Sequence, residues 1–104
     1  MSFKLPGSSN LAMRRRTGLE VFDYEILAEM ATSLGAAGRK VEALMQQLNG
    51  TDRGSPDRPQ LLKAAAEAVH HYFIQRELCG LRRHHDVIRE NQIPNEVLAR
   101  LGAK

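Results

Sequence analysis

Tryptophan is absent from this chain, cysteine occurs once, and the aromatic residues are limited to two tyrosines and three phenylalanines. A lone cysteine cannot close an internal disulfide, so the fold must hold without a covalent staple, and a reducing cytoplasm is the expected compartment. With so few rings, the core has to be filled by aliphatic side chains. No apolar run approaches the roughly 20 residues that a membrane-spanning helix needs, and the first residues lack the apolar stretch of a signal peptide, so no membrane partner is expected. There is no glycine-rich phosphate loop, no dinucleotide fingerprint, no Ser/His/Asp arrangement and no Cys/His spacing of a zinc finger. These absences remove the easily recognised enzyme classes, and the expectation is a protein without catalytic activity or cofactor.

Acidic residues are missing from positions 1–17, which hold Lys4, Arg14, Arg15 and Arg16. The net charge of +3 is therefore located there, because the remaining residues carry eleven basic and twelve acidic side chains. Rich in Ser, Gly and Pro and lacking any periodicity, this stretch reads as a flexible basic arm ahead of a single helical domain at 18–104. An organelle transit peptide has a similar composition.

What the sequence does have is helical periodicity, on a background of abundant Ala, Leu, Arg and Glu. Over residues 18–49, Leu27, Leu34, Val41 and Leu48 recur every seven residues, and Met30, Ala37 and Leu44 follow three residues after the first three. That is an a/d seam over about three heptads. Gly35 and Gly38 interrupt it, and each disfavours helix by about 1 kcal/mol relative to Ala. The heptad phase continues across both, which favours a continuous helix with a close contact at Gly38 over a break. Gly54, Ser55, Pro56 and Pro59 mark a loop. Asp57 and Gln60 have the spacing of a capping box for a second helix, from about Arg58 to Cys79. Its main apolar face runs from Leu61 to Phe73 and Cys79, while Ile74 and Leu78 lie nearly opposite and call for a second packing partner. Gly80 is the expected stop. A third helix is expected near 82–91, interrupted at Asn91-Gln92-Ile93-Pro94, and the segment EVLARLG gives a short last helix that ends at Gly102.

The residues that could carry chemistry each have a structural reading. Cys79 sits at a helix C-terminal end, where the dipole disfavours a thiolate, and its phase places it as a small buried side chain. Glu67 and His70 have the Glu-x-x-His spacing of di-iron bundles but point away from the core stripe. His84 and His85, adjacent on a helix, diverge by about 100° and cannot share one metal from the same face. Glu67, His70, His84 and His85 are thus metal candidates in spacing only, and no metal is expected. Arg76 falls in the middle of the second helix's apolar stripe. If buried it needs a partner, which could be a carbonyl, Glu77 or an acid of another chain; alternatively it snorkels at the bundle end. A nucleic-acid reading would use Arg14 to Arg16 together with a helix-turn-helix-like segment at 82–101, but the second helix of that segment is short and Glu96 offsets Arg100.

FIQRELCGLRRHHDVIRENQIPNEVLARLG, residues 73–102, resembles the C-terminal half of a family of short bacterial proteins of unknown function, and DYEILAEMATSLGAAGRKVEAL, 23–44, looks like their first helix. The resemblance implies a small helical protein; it brings no assigned activity and no functional residue. The fold class predicted here is all-α: a long antiparallel helical hairpin with short C-terminal helices, forming a dimeric bundle. A helix over 18–49 would be roughly 48 Å long at ~1.5 Å per residue, against a diameter of roughly 33 Å for a compact globule of this length. Self-association would cover the excess, with Leu27, Met30, Leu34, Gly38, Val41, Leu48 and Arg76 as the interaction residues and a homodimer as the expected assembly. The alternative is the small nucleic-acid-binding regulator.

Overall fold

The structure, a computed structural model, describes the backbone of residues 10–102 and the side chains of residues 23–102. The described residues form four α-helices and no strand: α1 Asn10–Asn49, α2 Arg58–Leu78, α3 His85–Glu90 and α4 Asn95–Leu98. The all-α class follows. Helix α1 begins at Asn10 rather than near Gly18, and the part of the expected arm before Asn10 lies outside the described residues. The chain divides into two units, the first ending at Ala31 and the second beginning at Thr32. In the first unit, α1 exposes every described side chain except Met30, which is half-buried.

The second unit contains the core. Val41, Met45 and Leu48 of α1 pack with Leu62, Ala65, Val69 and Phe73 of α2, and Val87, Ile93 and Val97 close the same cluster from the C-terminal segment. Burying each of the larger side chains stabilises the fold by about 1.5–3 kcal/mol. The heptad positions Val41 and Leu48 are fully buried, as a core-facing stripe requires. Contacts between α1 and α2 run in opposite order along the two helices. Ser33 Oγ donates to Gln75 Oε1 at 3.3 Å, Gly38 faces Tyr72, and Arg58 Nη1 donates to the Leu48 carbonyl at 3.1 Å.

Helix α1 passes through Gly35 and Gly38 without a break. A Cβ at Gly38 would come within 3.3 Å of three atoms of the Tyr72 side chain, so the small residue gives the ring its place. At Gly35 the nearest neighbour would be Nη1 of Arg39, the far end of a flexible side chain.

The helix ends are set by local chemistry, in one case differently from expectation. Asp57 is the N-cap of α2, but its side chain makes no capping bond, so the Asp57–Gln60 capping box does not form. Its backbone is already helical (φ −83°, ψ −15°), whereas a capping side chain reaches the first-turn amides from an extended residue. Ser55 organises the turn instead: its Oγ accepts from the Asp57 amide at 3.2 Å, and its carbonyl accepts from the Arg58 amide at 3.1 Å.

At the other end of α2, Gly80 adopts φ +89°, the Leu81 amide returns to the Arg76 carbonyl at 2.8 Å, and the Gly80 amide returns to Glu77 at 3.0 Å. This is the paired C-terminal cap that a left-handed residue permits. The same pattern closes α3. There the Ile93 amide reaches the Ile88 carbonyl at 3.0 Å and the Gln92 amide reaches Arg89 at 3.2 Å, with Gln92 at φ +52° in the position usually given to glycine.

Helix α3 starts at His85 rather than near 82, and α4 is a single turn. Gly102, at φ +75°, ends the last turn and lies against the His70 ring. Since Glu96 is bonded to Arg58, the 96–102 segment follows α2 from Arg58 up to His70. Ala68, about 20° around the helix from Leu61, is buried at the edge of the main stripe, whereas Ile74 and Leu78, nearly opposite, are exposed.

Candidate functional site

The interaction residues read from the sequence separate into two groups. Val41 and Leu48 are spent in the chain's own core, and Gly38 is spent on Tyr72. Leu34 and Met30 are half-buried. Leu27 is 58% exposed, with Tyr24 at 73% and Ile26 at 42% on the same helix. A second set of uncovered apolar side chains sits at the end of α2 and just after it: Ile74 at 42%, Leu78 at 66% and Leu81 at 44%. Scattered apolar side chains on a surface need no explanation, whereas contiguous apolar patches mark contact surfaces.

Between α2 and α3 the chain builds a compact polar cluster. Gly80 reverses the chain after α2, and the short non-helical stretch 81–84 returns over the end of that helix. His84 stacks on Phe73, with ring centroids 4.0 Å apart and planes inclined by 4°. Its two ring nitrogens have different partners. Arg76 Nε donates to His84 Nδ1 at 3.0 Å, so Nδ1 carries no proton; Nε2 is then the protonated nitrogen and donates to Glu77 Oε2 at 3.0 Å.

Arg76 is buried, and its Nη2 also donates to the Arg83 carbonyl at 2.7 Å. The Tyr72 ring lies 5.8 Å from its guanidinium carbon, within cation–π range. A carbonyl was among the partners expected for a buried Arg76, and Glu77 joins through His84. The supporting groups come from the segment that follows α2 rather than from α1 across from it. Asp86 Oδ1 stands 3.7 Å from Nη2, an ion pair beyond hydrogen-bond length.

The remaining candidates are dispersed. Glu67, His70 and His85 are exposed, His70 beside Gly102 and His85 at the start of α3, while His84 is committed to Arg76 and Glu77. Among the described residues no three His, Cys, Asp or Glu side chains converge in a way that could hold a metal ion. Cys79 is half-buried rather than buried. It is the C-cap of α2, with φ −89° and ψ 5°, so the helical phase that aligned it with Phe73 has ended one residue earlier.

Arg58 was not singled out by sequence reasoning, yet it joins three parts of the second unit. Nη1 donates to the Leu48 carbonyl at 3.1 Å and to the Thr51 carbonyl at 2.7 Å, and Nη2 pairs with Glu96 Oε1. The guanidinium thus caps the end of α1, holds the loop and anchors α4. Its hydrogen bond to Glu96 keeps that carboxyl below the ordinary carboxylate range. The only signal in the sequence was an arginine at the first position of a helix whose apolar face faces inward.

The sequence matches a family of unknown function (DUF6665) over residues 5–104, and the chain belongs to that family. Searches of curated proteins and of solved structures return no match. The family match takes in nearly all of the chain, more than the segments on which the resemblance in the sequence rested, and it assigns no activity.

Proposed function

We propose that this protein is a self-associating helical module of the cytoplasm, without catalytic activity, that works as a homodimer. In this reading α1 and α2 form an antiparallel hairpin braced by the short C-terminal helices, and residues 18–104 act as one helical domain. The observation that carries it is the pair of uncovered apolar sets, Tyr24–Ile26–Leu27 and Ile74–Leu78–Leu81. Leu27, Met30, Leu34 and the end of α2 supply the contact, while Val41, Leu48 and Gly38 support it from within. Because Val41 and Leu48 have no exposed surface, a second copy meets only the first half of the heptad seam. Covering several large side chains at once returns the hydrophobic free energy that a single chain leaves unused.

Charge reversal at the two sets tests this. Leu27→Glu and Leu78→Glu are substitutions at exposed positions that leave the core intact. Each should convert a dimer to a folded monomer, read by sedimentation together with circular dichroism. A dimer unaffected by both would sink the assignment of these faces.

The nucleic-acid reading has less support. Its proposed second helix is the four-residue α4, and Glu96 within it is held by Arg58. The side chains of Arg14 to Arg16 lie outside the described residues.

A further inference from the structure

We propose that the arginine-lined depression beside the α2–α3 turn binds a single phosphoryl group. This does not depend on self-association. The depression has a volume of about 590 Å³ and is lined by Arg76, Arg82, Arg83, Arg89 and His85, with Asp86 as its one acidic side chain. Outside residues 1–17 the chain has one more acid than base, so four arginines around one depression are a local concentration and not a general basic character.

The depression has a built floor. The Arg76 side chain is only 10% exposed, and its plane is fixed by the bonds from Nε to His84 and from Nη2 to the Arg83 carbonyl. His84 is in turn held by its stack on Phe73 and by Glu77. Nη1 makes no hydrogen bond among the described residues. No carboxylate is hydrogen-bonded to this guanidinium: Glu77 is engaged by His84, and Asp86, 61% exposed, stays at 3.7 Å. A buried cation whose hydrogen bonds all go to neutral acceptors, with its carboxylate partner beyond hydrogen-bond length, is improved by an anion that can hydrogen-bond to it. The orientation is already set, so little ordering cost falls on the ligand.

The number of guanidinium groups selects the ligand. A carboxylate spreads one charge over two oxygens, whereas a phosphoryl group offers three peripheral oxygens and more charge to several guanidinium groups at once. A polymer backbone would instead call for basic residues along a track, with binding that weakens steeply with salt.

The test uses the full chain, labelled with ¹⁵N and titrated with inorganic phosphate or with phosphoethanolamine as a phosphate monoester, each against chloride at equal ionic strength. Saturable shifts of the Gly80, Leu81, Arg82 and His85 amides are expected, with a dissociation constant of about 1 mM or tighter. Either ligand binding there supports the proposal, and the tighter of the two identifies the source of the phosphoryl group. The exposed double variant Arg82→Gln/Arg89→Gln should weaken binding by roughly tenfold, and Asp86→Asn should strengthen it, since it removes the one repulsive carboxylate. No saturable shift up to about 20 mM, far above that constant, would overturn the proposal. So would an affinity unchanged in the double variant, or a response confined to an oligonucleotide and abolished by moderate salt.

Discussion

Two buried arginines fix the C-terminal third of this chain, and they do so through different chemistry. Arg76 relies on a carbonyl and a neutral histidine, whereas Arg58 combines two carbonyls with the carboxylate of Glu96. The Arg58–Glu96 arrangement ties stability to pH. The Arg58 hydrogen bond holds the Glu96 pKa below its ordinary value of 4.5. The contribution is therefore complete above pH 4.5, where the carboxylate is ionised in both folded and unfolded chains, and is lost as the pH falls below 4.5 through the lowered value. Glu96→Gln should remove that part of the acid sensitivity, so urea midpoints of variant and parent should converge as the pH is lowered through this range. Midpoints that stay equally far apart at all pH values would mean that the ion pair is not formed. Of the two arginines' partners the sequence suggested only a carbonyl for Arg76, without its position. They lie between 7 and 38 positions away, brought close by turns, and periodicity reports a residue's face but not what returns to meet it.

At the scale of elements, periodicity and turn chemistry were legible where structure is local. The α2 start at Arg58 and the stop at Gly80 follow from residue types that favour those conformations, whereas the last helix ends at Leu98, short of the expected stop at Gly102. The same reasoning failed for Cys79 and for the Asp57 cap, both at helix ends where one residue of difference changes the backbone geometry. The glycines of α1 give a paired test. Gly35→Ala adds a methyl group next to a movable arginine tip, so the helix-propensity gain of up to about 1 kcal/mol should appear as added stability. Gly38→Ala gains the same propensity but pushes on the Tyr72 ring, and overpacking costs about 1–3 kcal/mol. Thermal or urea unfolding should therefore place Gly38→Ala about 1 kcal/mol or more below Gly35→Ala. Equal stability of the two variants would contradict the close contact. In the cap after α3, Gln92 occupies a left-handed conformation that costs a side-chain-bearing residue roughly 1–2 kcal/mol. Its carbonyl accepts from Asn49 Nδ2 at 3.1 Å and its amide donates to the Arg89 carbonyl at 3.2 Å, bonds that glycine keeps. Gln92→Gly should raise stability by about 0.5–1 kcal/mol, less than the full strain because glycine also gains freedom in the unfolded chain. A loss of stability would show that the Gln side chain holds the turn.

For the whole molecule, the sequence led to self-association through a length comparison, and the proposal now rests on a different observation, the uncovered apolar side chains of α1 and α2. The second half of the heptad seam is buried by the chain itself, which a heptad pattern alone cannot distinguish from a seam open to a partner. What remains exposed is Leu27 at the start of that seam and the far end of α2, past the point where the C-terminal segment stops at Gly102. Either set, meeting its counterpart on a second copy, has the geometry of a two-fold dimer. Sedimentation equilibrium of the unmodified protein at micromolar concentration measures this directly. A mass of about twice the single-chain 11.6 kDa is the result expected for a homodimer. A mass of 11.6 kDa across that concentration range would contradict it.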